Sequence, residues 1–286
     1  MRLATRSSAQ ASAQASLLAD ALRAAHPGLE VALVFVDTMG DQLADVPLHT
    51  IGGQGVFVKE VQRAVLAGHA DVAVHSAKDL PSTPADGLTI AAFTARRSAA
   101  DALVGLPLAE LPHGGTVASG SVRRRAQLAA ARPDLTFVEL RGNIQTRLGK
   151  LPEGGSLVVA VAAMQILGLT DLIAEELDVA TFVPAPGQGC VAAECRTGDD
   201  ATAALLAAVD DAATRADVEA ERAFLAELGS GCSLPVGAHA VGGRLTGFLA
   251  DPAAGRCVRR SVELPAGDLT TARALAAELV AALAAP

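Results

Sequence analysis

Two periods alternate along the first two-thirds of the chain. Short apolar runs, RLAT (2–5), EVALVFV (30–36) and ADVAVHS (70–76), are interleaved with stretches whose apolar positions recur at three and four residues. The first spacing predicts strands and the second amphipathic helices. Ser7 or Ser8 is placed to cap a helix running to about Arg23, and VFVKEVQRAVLAG predicts a helix closing on Gly68. TVAS, a helix over 121–131, TFVEL, a helix over 143–150 and SLVVAVAA continue the alternation. Strand–helix alternation of this kind predicts α/β layers with parallel strands. Residues 37–57 break it with a long Gly- and Asp-bearing segment of no clear period, which reads as a binding loop or lid. Beyond about residue 208 the texture changes. A charged helix runs to Leu228, a hairpin turns at Gly242–Gly243, RCVRRSVEL reads as a strand, and an amphipathic helix ends the chain.

A length of 286 residues exceeds one ordinary core and predicts two or three domains. The formal net charge of −8 and the near absence of aromatic residues, with no Trp and no Tyr, argue against nucleic-acid binding by stacking or by a basic face. The N-terminal MRLATRSSAQ carries no apolar signal segment and no apolar run is long enough to span a bilayer, so a cytoplasmic protein without a membrane partner is expected. The four cysteines lack a CxxC pair and read as reduced thiols, and His69 and His75 lack a matching ligand set, so no metal is assigned.

Against this acidic background, residues 119–150 hold seven of the 23 Lys and Arg. Arg123 and Arg124 open a helix, where the free N–H groups and the dipole favour an anion. Guanidinium groups in that first turn therefore point to an anionic ligand, whereas Arg125 and Arg132 read as exposed. In α/β sheets ligands sit beyond the carboxyl ends of the strands. Arg6, Lys78, Asp79, Ser121, Arg123 and Arg141 all fall there. Asp79 taken alone fits a turn cap or a partner of Lys78 as well as a functional carboxylate. Cys232, in GSGCSLPVG, is either a small apolar residue or a nucleophilic thiol on a Gly-rich loop. Cys190, Cys195 and Cys257 read as packing residues.

Five segments, RLATRSS, GGQGVFVKEVQRAVLAGHADVAVHSAKDLPS, SVRRRAQLAAARPDL with LRGNIQTRL, PAPGQGCVAAECR and GSGCSLPVGAHA, occur in the order and spacing of the hydroxymethylbilane synthase (porphobilinogen deaminase) family. The resemblance covers nearly the whole chain. It implies two periplasmic-binding-protein-like α/β domains with parallel or mixed sheets and a small α+β C-terminal domain. The implied bounds are 1–94 with 190–207, then 95–189, then 208–286. It implies a transferase that condenses four porphobilinogen molecules head to tail with release of ammonia. The expected cofactor is a dipyrromethane held by a thioether to Cys232. Each pyrrole carries two carboxylates, which accounts for the arginines. The resemblance assigns Asp79 as the catalytic carboxylate. It assigns Lys78, Ser121, Arg123, Arg124 and Gly189 to the cofactor, and Arg6, Ser8, Phe57, Arg141, Arg147 and Gln188 to the substrate, with Lys59 and Ser119 nearby. A monomer that hands its product to the next enzyme of tetrapyrrole synthesis is the family expectation.

This chain departs from the family pattern at several positions. Ser119-Gly120-Ser121 has one hydroxyl fewer than usual, and Met39, Ala100 and Ile166 replace usual arginines. A solute-binding protein of the same architecture explains the lobes and an anion site but not Cys232. A paralogue without catalysis would fit the lost arginines but not the retained Asp79.

Overall fold

The computed structural model describes residues 1–37, 58–229, 235–265 and 267–285. Met39, Phe57 and Cys232, with most of the 37–57 segment, lie outside them. The chain begins β1 (Arg2–Arg6), α1 (Ala9–Ala25), β2 (Ala32–Val36), α2 (Lys59–Leu66), β3 (Val72–Ser76) and β4 (Leu88–Phe93). Next come β5 (Asp101–Gly105), β6 (Thr116–Ala118), α3 (Val122–Ala131), β7 (Thr136–Val138), α4 (Ile144–Leu148), β8 (Ser156–Ala160), α5 (Val161–Leu167) and β9 (Ile173–Glu176). Then follow β10 (Val191–Arg196), α6 (Asp200–Ala207), α7 (Ala212–Glu227), β11 (Val236–Val241), β12 (Arg244–Asp251), β13 (Arg256–Glu263) and α8 (Leu269–Ala284).

Three sheets organise these elements. The first has the order β2-β1-β3-β10-β4 and the second β7-β6-β8-β5-β9. In the first, β1 runs parallel to β2 and β3 while β10 is antiparallel to both neighbours. The second repeats the scheme, with β6 parallel to β7 and β8 and with β5 antiparallel to β8 and β9. Both α/β sheets are therefore mixed. The antiparallel strands follow from chain routing. The chain leaves the first sheet after β4, enters the second as β5, and returns as β10.

Local chemistry explains the elements. Ser8 caps α1 by accepting from the Ala11 N–H, and Ala15, Leu18 and Leu22 of that helix meet Leu3, Val72 and Val74 on one face of the sheet. On the other face Val61 and Val65 of α2 meet Ala4 and Ala73. Burying a leucine such as Leu22 contributes about 2–3 kcal/mol. SLVVAVAA, a single apolar run in sequence, divides at Ala160: the strand ends there and Val161 begins α5, its N–H turning to the Ala100 carbonyl. A strand buried on both faces has no alternation to distinguish it from a buried helix turn.

The third sheet, β11-β12-β13, is antiparallel, and its hairpin turns through Gly242 and Gly243 at φ 59° and 74°. α7 and α8 cover it, with Phe224, Leu275 and Leu279 in the core between them. Its other contacts run back to the lobes. Phe248 and Ala250 pack on Val183, and the Ala238 N–H donates to the Pro184 carbonyl.

The two crossing segments, 94–100 and 183–190, touch backbone to backbone. The Arg97 N–H donates to the Gly189 carbonyl at 2.9 Å, and a Cβ on Gly189 would stand 2.7 Å from the Arg97 carbonyl oxygen. Gly189 also has φ 90°. Both facts require glycine. The carboxylate of Glu221 on α7, fully buried, holds this crossing. Arg96 donates to it through Nη1 at 2.6 Å and Nη2 at 3.1 Å, the Gly187 N–H at 2.7 Å and the Ala240 N–H at 2.8 Å. Burial alone would raise its pKa, but Arg96 and His239 outweigh it and hold it below the usual carboxylate range.

Glu221→Gln is expected to destabilise the folded chain by about 3–5 kcal/mol, because Arg96 is left buried without its counter-ion. The Glu221 contribution is complete above the ordinary carboxylate pKa and is lost as pH falls through the depressed folded value. Urea unfolding of both proteins between pH 3 and 7 checks this: the difference should be full at neutral pH and shrink in acid.

Candidate functional site

The carboxyl ends of β1, β3, β6 and β7 converge on one cleft. β1 ends at Arg6, and β3 ends at Ser76 and passes into a single 3-10 turn, Ala77–Asp79, that presents Lys78 and Asp79. Beyond β6, Ser119 and Ser121 precede α3. Ser121 caps that helix by accepting from the Arg124 N–H, and the buried Ser119 hydroxyl accepts from the Ser121 N–H. Beyond β7 come Arg141 and then Arg147 on α4, whose first turn is capped by Asn143.

The charges in this cleft act on one another. Arg147 is pushed down to about 10, first by burial and then by the like charges of Arg124, Arg141 and Arg6, with Asp79 opposing them. Lys78 falls to about 8, first by burial and then by Arg124, while Asp79 and Asp101 hold it up. Arg147 therefore stays charged near neutrality, while Lys78 begins to lose its proton just above it. Asp79 is half-buried at the mouth of this group.

Arg123 and Arg124 are buried, and the structure gives them a partner that the sequence pattern does not name. Asp101, at the head of β5, takes Arg123 Nη2 at 2.8 Å and Arg124 Nη2 at 2.7 Å. Arg123 also donates to the Val183 carbonyl at 2.7 Å and Arg124 to the Val158 carbonyl at 3.2 Å. The two guanidinium groups hold the Asp101 carboxyl well below its ordinary range despite its burial. Gln188 is also buried, bonded to Asp101 and Lys78. The sequence signal for Asp101 was an acid opening an apolar strand, DALV.

Arg141 differs from its neighbours. It is 8% exposed, yet its Nη1 meets no hydrogen-bond partner among the described residues. Burial lowers its pKa. A buried donor on a charged group without an acceptor is costly, so this position favours an acceptor that the described residues do not supply.

Other expected positions are placed as follows. Ser8 is committed to capping α1, Gly189 to the chain crossing, and Lys59 is exposed at the start of α2. Arg132, expected to be exposed, is half-buried. It pairs with Asp134 at 2.8 Å and donates to the carbonyls of Leu108 and Leu111, because it follows α3 and must tie the 108–112 loop to it. Arg125 is likewise held, by the Ser119 carbonyl and Glu139. Cys190 and Cys195 are buried, and burial pushes the Cys190 thiol up to about 12. Cys257, expected to pack, is exposed on the edge strand β13. Among the described residues no group of His, Cys, Asp and Glu is disposed to hold a metal.

Two mixed α/β lobes joined by a double crossing, with a cationic cleft between them and a small third unit docked at the crossing, define a two-lobed protein that binds a polyanion. Comparison with known proteins narrows the class. Residues 1–204 match the model of the porphobilinogen deaminase dipyromethane cofactor binding domain, and residues 216–285 match that of the porphobilinogen deaminase C-terminal domain. The chain belongs to the porphobilinogen deaminase family. The porphobilinogen deaminase of Roseiflexus castenholzii is 50% identical over 84% of this chain and 81% of its own. That of Acidothermus cellulolyticus is 47% identical over 99% of this chain and 89% of its own. A nutrient binding protein from Burkholderia cenocepacia, solved with methionine, superposes with a TM-score of 0.44 at 11% identity, over 81% of this chain and 98% of that one. No helix among the described residues is long and apolar enough to cross a membrane.

Arg141→Met should leave the unliganded fold as stable as the parent or more so, since it removes a donor without an acceptor, while weakening polycarboxylate binding by about 2–5 kcal/mol. Arg132→Leu should do the reverse, lowering the melting temperature by a few degrees and leaving binding intact. Thermal unfolding and titration with a multivalent carboxylate, run on both variants, separate the two roles.

Proposed function

We propose that the protein is a hydroxymethylbilane synthase. It joins four porphobilinogen molecules head to tail, releases ammonia at each junction, and passes the linear tetrapyrrole to the next enzyme of the pathway. The observation that carries this reading is the buried, unpartnered Arg141 Nη1 in a cleft shared with Lys78, Arg124 and Arg147. A chain that gains an acetate and a propionate with each added ring needs such surplus cations. Guanidinium forks bind carboxylates bidentately and remain charged.

The same chemistry suits a dipyrromethane, with four carboxylates of its own. Lys78, Arg141 and Arg147 would hold those carboxylates, Ser119 and Ser121 with the first turn of α3 would add neutral donors, and Cys232 would supply the thioether. Once bound, that group offers a pyrrole carbon on which chain growth begins. Arg123 and Arg124 spend much of their donor capacity on Asp101 and two carbonyls, so they add field and position to the site along with any remaining N–H contacts. Arg6 faces the same cleft from β1, and Gln188 reaches it through Lys78. Phe57, Ser8, Gly189 and Lys59 complete the set taken over from the family pattern.

Asp79 does the acid–base work. Its carboxylate, half-exposed beside Lys78, accepts from pyrrole N–H groups, balances the positive charge that ammonia loss leaves on porphobilinogen, and takes up or returns the proton. Divided into residues 1–94 with 190–207, 95–189 and 208–286, the chain carries the carboxylate in its first domain, the arginines in its second and the attachment thiol in its third. A cytoplasmic monomer fits this role.

Asp79→Asn should keep the fold and the attached pyrroles while slowing turnover roughly a hundredfold or more, the usual effect of removing one such electrostatic contact. Near-parental turnover would take Asp79 out of the mechanism. Cys232→Ala should give protein whose intact mass equals that of the sequence, with no colour in Ehrlich reagent. Parent protein should carry two condensed pyrroles, as should Cys190→Ala, Cys195→Ala and Cys257→Ala. An increment surviving in Cys232→Ala would move the attachment elsewhere.

A further inference from the structure

The cations of the cleft are not equivalent, because arginine does not deprotonate in a protein and lysine does. Wherever Arg123, Arg124 and Lys78 crowd together, Lys78 is the one that can give way by losing its proton. The groups facing it decide whether it does. They are Arg123 and Arg124 from α3, Asp79 from its own turn, and Asp101 from β5. The remaining neighbours, Gln14 and Ser76 from the first lobe and Ile166 from α5, line a cavity of about 20 Å³ beside it and carry no charge.

Asp101 is 1% exposed and reaches Lys78 through one intermediary. Gln188 donates through Nε2 to Asp101 Oδ1 at 2.8 Å and to the Ala99 carbonyl at 2.7 Å. Both acceptors fix the amide's NH2 end, so its oxygen must face the other way. There it accepts from Lys78 Nζ at 3.3 Å. The amide therefore presents its negative end to the ammonium, and the carboxylate behind it reinforces that polarity. Gln188 lies on the returning crossing segment and Asp101 follows the outgoing one, so the relay is built where the chain passes between lobes.

We propose that Asp101, acting through Gln188, is a positioning residue that keeps the Lys78 ammonium charged and aimed into the cleft, so that carboxylate binding there survives to neutral and mildly alkaline pH. The proposal rests on the reading of the cleft as a polycarboxylate site. Removing the carboxylate leaves Lys78 facing two arginines with Asp79 alone, among the described residues named above, to offset them. Cutting the amide link removes the acceptor that favours the charged form. Either change moves the Lys78 titration downward, whereas a merely structural loss would not.

The sequence contains three lysines, Lys59, Lys78 and Lys150, so trace acetylation across pH 6–10 with peptide mass spectrometry reads each one separately. Asp101→Asn and Gln188→Met are compared with parent protein of the same pyrrole content, checked by intact mass. Cys232→Ala serves as the reference for a variant that carries no increment. The Lys78 midpoint should fall by roughly one pH unit in each variant, with Lys59 and Lys150 unmoved. KM for porphobilinogen should begin to rise at correspondingly lower pH, with kcat less affected. Should Asp101→Asn fail to accumulate, Gln188→Met decides, since it leaves the Asp101–arginine pairs in place. An unchanged Lys78 midpoint in folded Gln188→Met would overturn the relay. The labelling requires no substrate, so it stands apart from the deaminase reading, which would fail instead if parent protein neither bound nor consumed porphobilinogen.

Discussion

One fully buried carboxylate, Glu221, ties both crossing segments to the third sheet. It takes both terminal nitrogens of Arg96 on the outgoing crossing, the Gly187 N–H on the returning one, and the Ala240 N–H of the third sheet. Such a charge is tolerable in a dry interior only when every lone pair is met, and here each partner comes from a different region of the chain. The arrangement fixes where the lobes cross and where the third unit is seated. Arg222, the next residue of the same helix, donates to the Pro81 and Ser82 carbonyls just beyond Asp79. Docking of the third unit and placement of the turn that presents Lys78 and Asp79 are thus properties of one helix.

The cleft follows from a second imbalance. Asp101 answers for two arginines and an amide, whereas Arg141 Nη1, buried, finds no acceptor among the described residues. That donor is left unsatisfied at a cost in stability. The depressed pKa values of Lys78 and Arg147 record the same strain from the side of the cations. Ile166 lines the same small cavity as Gln14 and Ser76 at the α1–α5 seam and adds no charge to it.

Much of this was legible in the sequence. Ser8 caps the helix that its position predicted, Ser121, Asn143 and Asp268 cap helices expected where they stand, and the Gly242–Gly243 hairpin forms where the glycines stand. These are local signals, set by side chains acting on their own backbone within a few residues. That Arg6, Lys78, Asp79 and Arg141 share one end of the sheets was legible too, because each follows a strand in an α/β pattern; Arg147, on a helix, joins them only in the fold. Arg132 misled for the opposite reason. Its carbonyl partners at 108–112 are twenty or more residues away, and no local pattern marks an arginine that ties down a distant loop.

The same division separates what each level determined. The sequence by itself determined the elements, their order, and which residues carry chemistry, since caps, periods and motif spacing are written within short windows. Only the tertiary structure decided which charges are answered. Glu221 sits in a helix that reads as charged and solvated, yet it shares a stripe with Val218 and Phe224 that turns inward, and its partner Arg96 lies 125 residues away. Asp101 is claimed by arginines 22 and 23 residues further on, while Arg141, of the same residue type, is left without an acceptor. Pairing between charges depends on distance in space and on the exclusion of water, and both are settled only when the lobes close on each other.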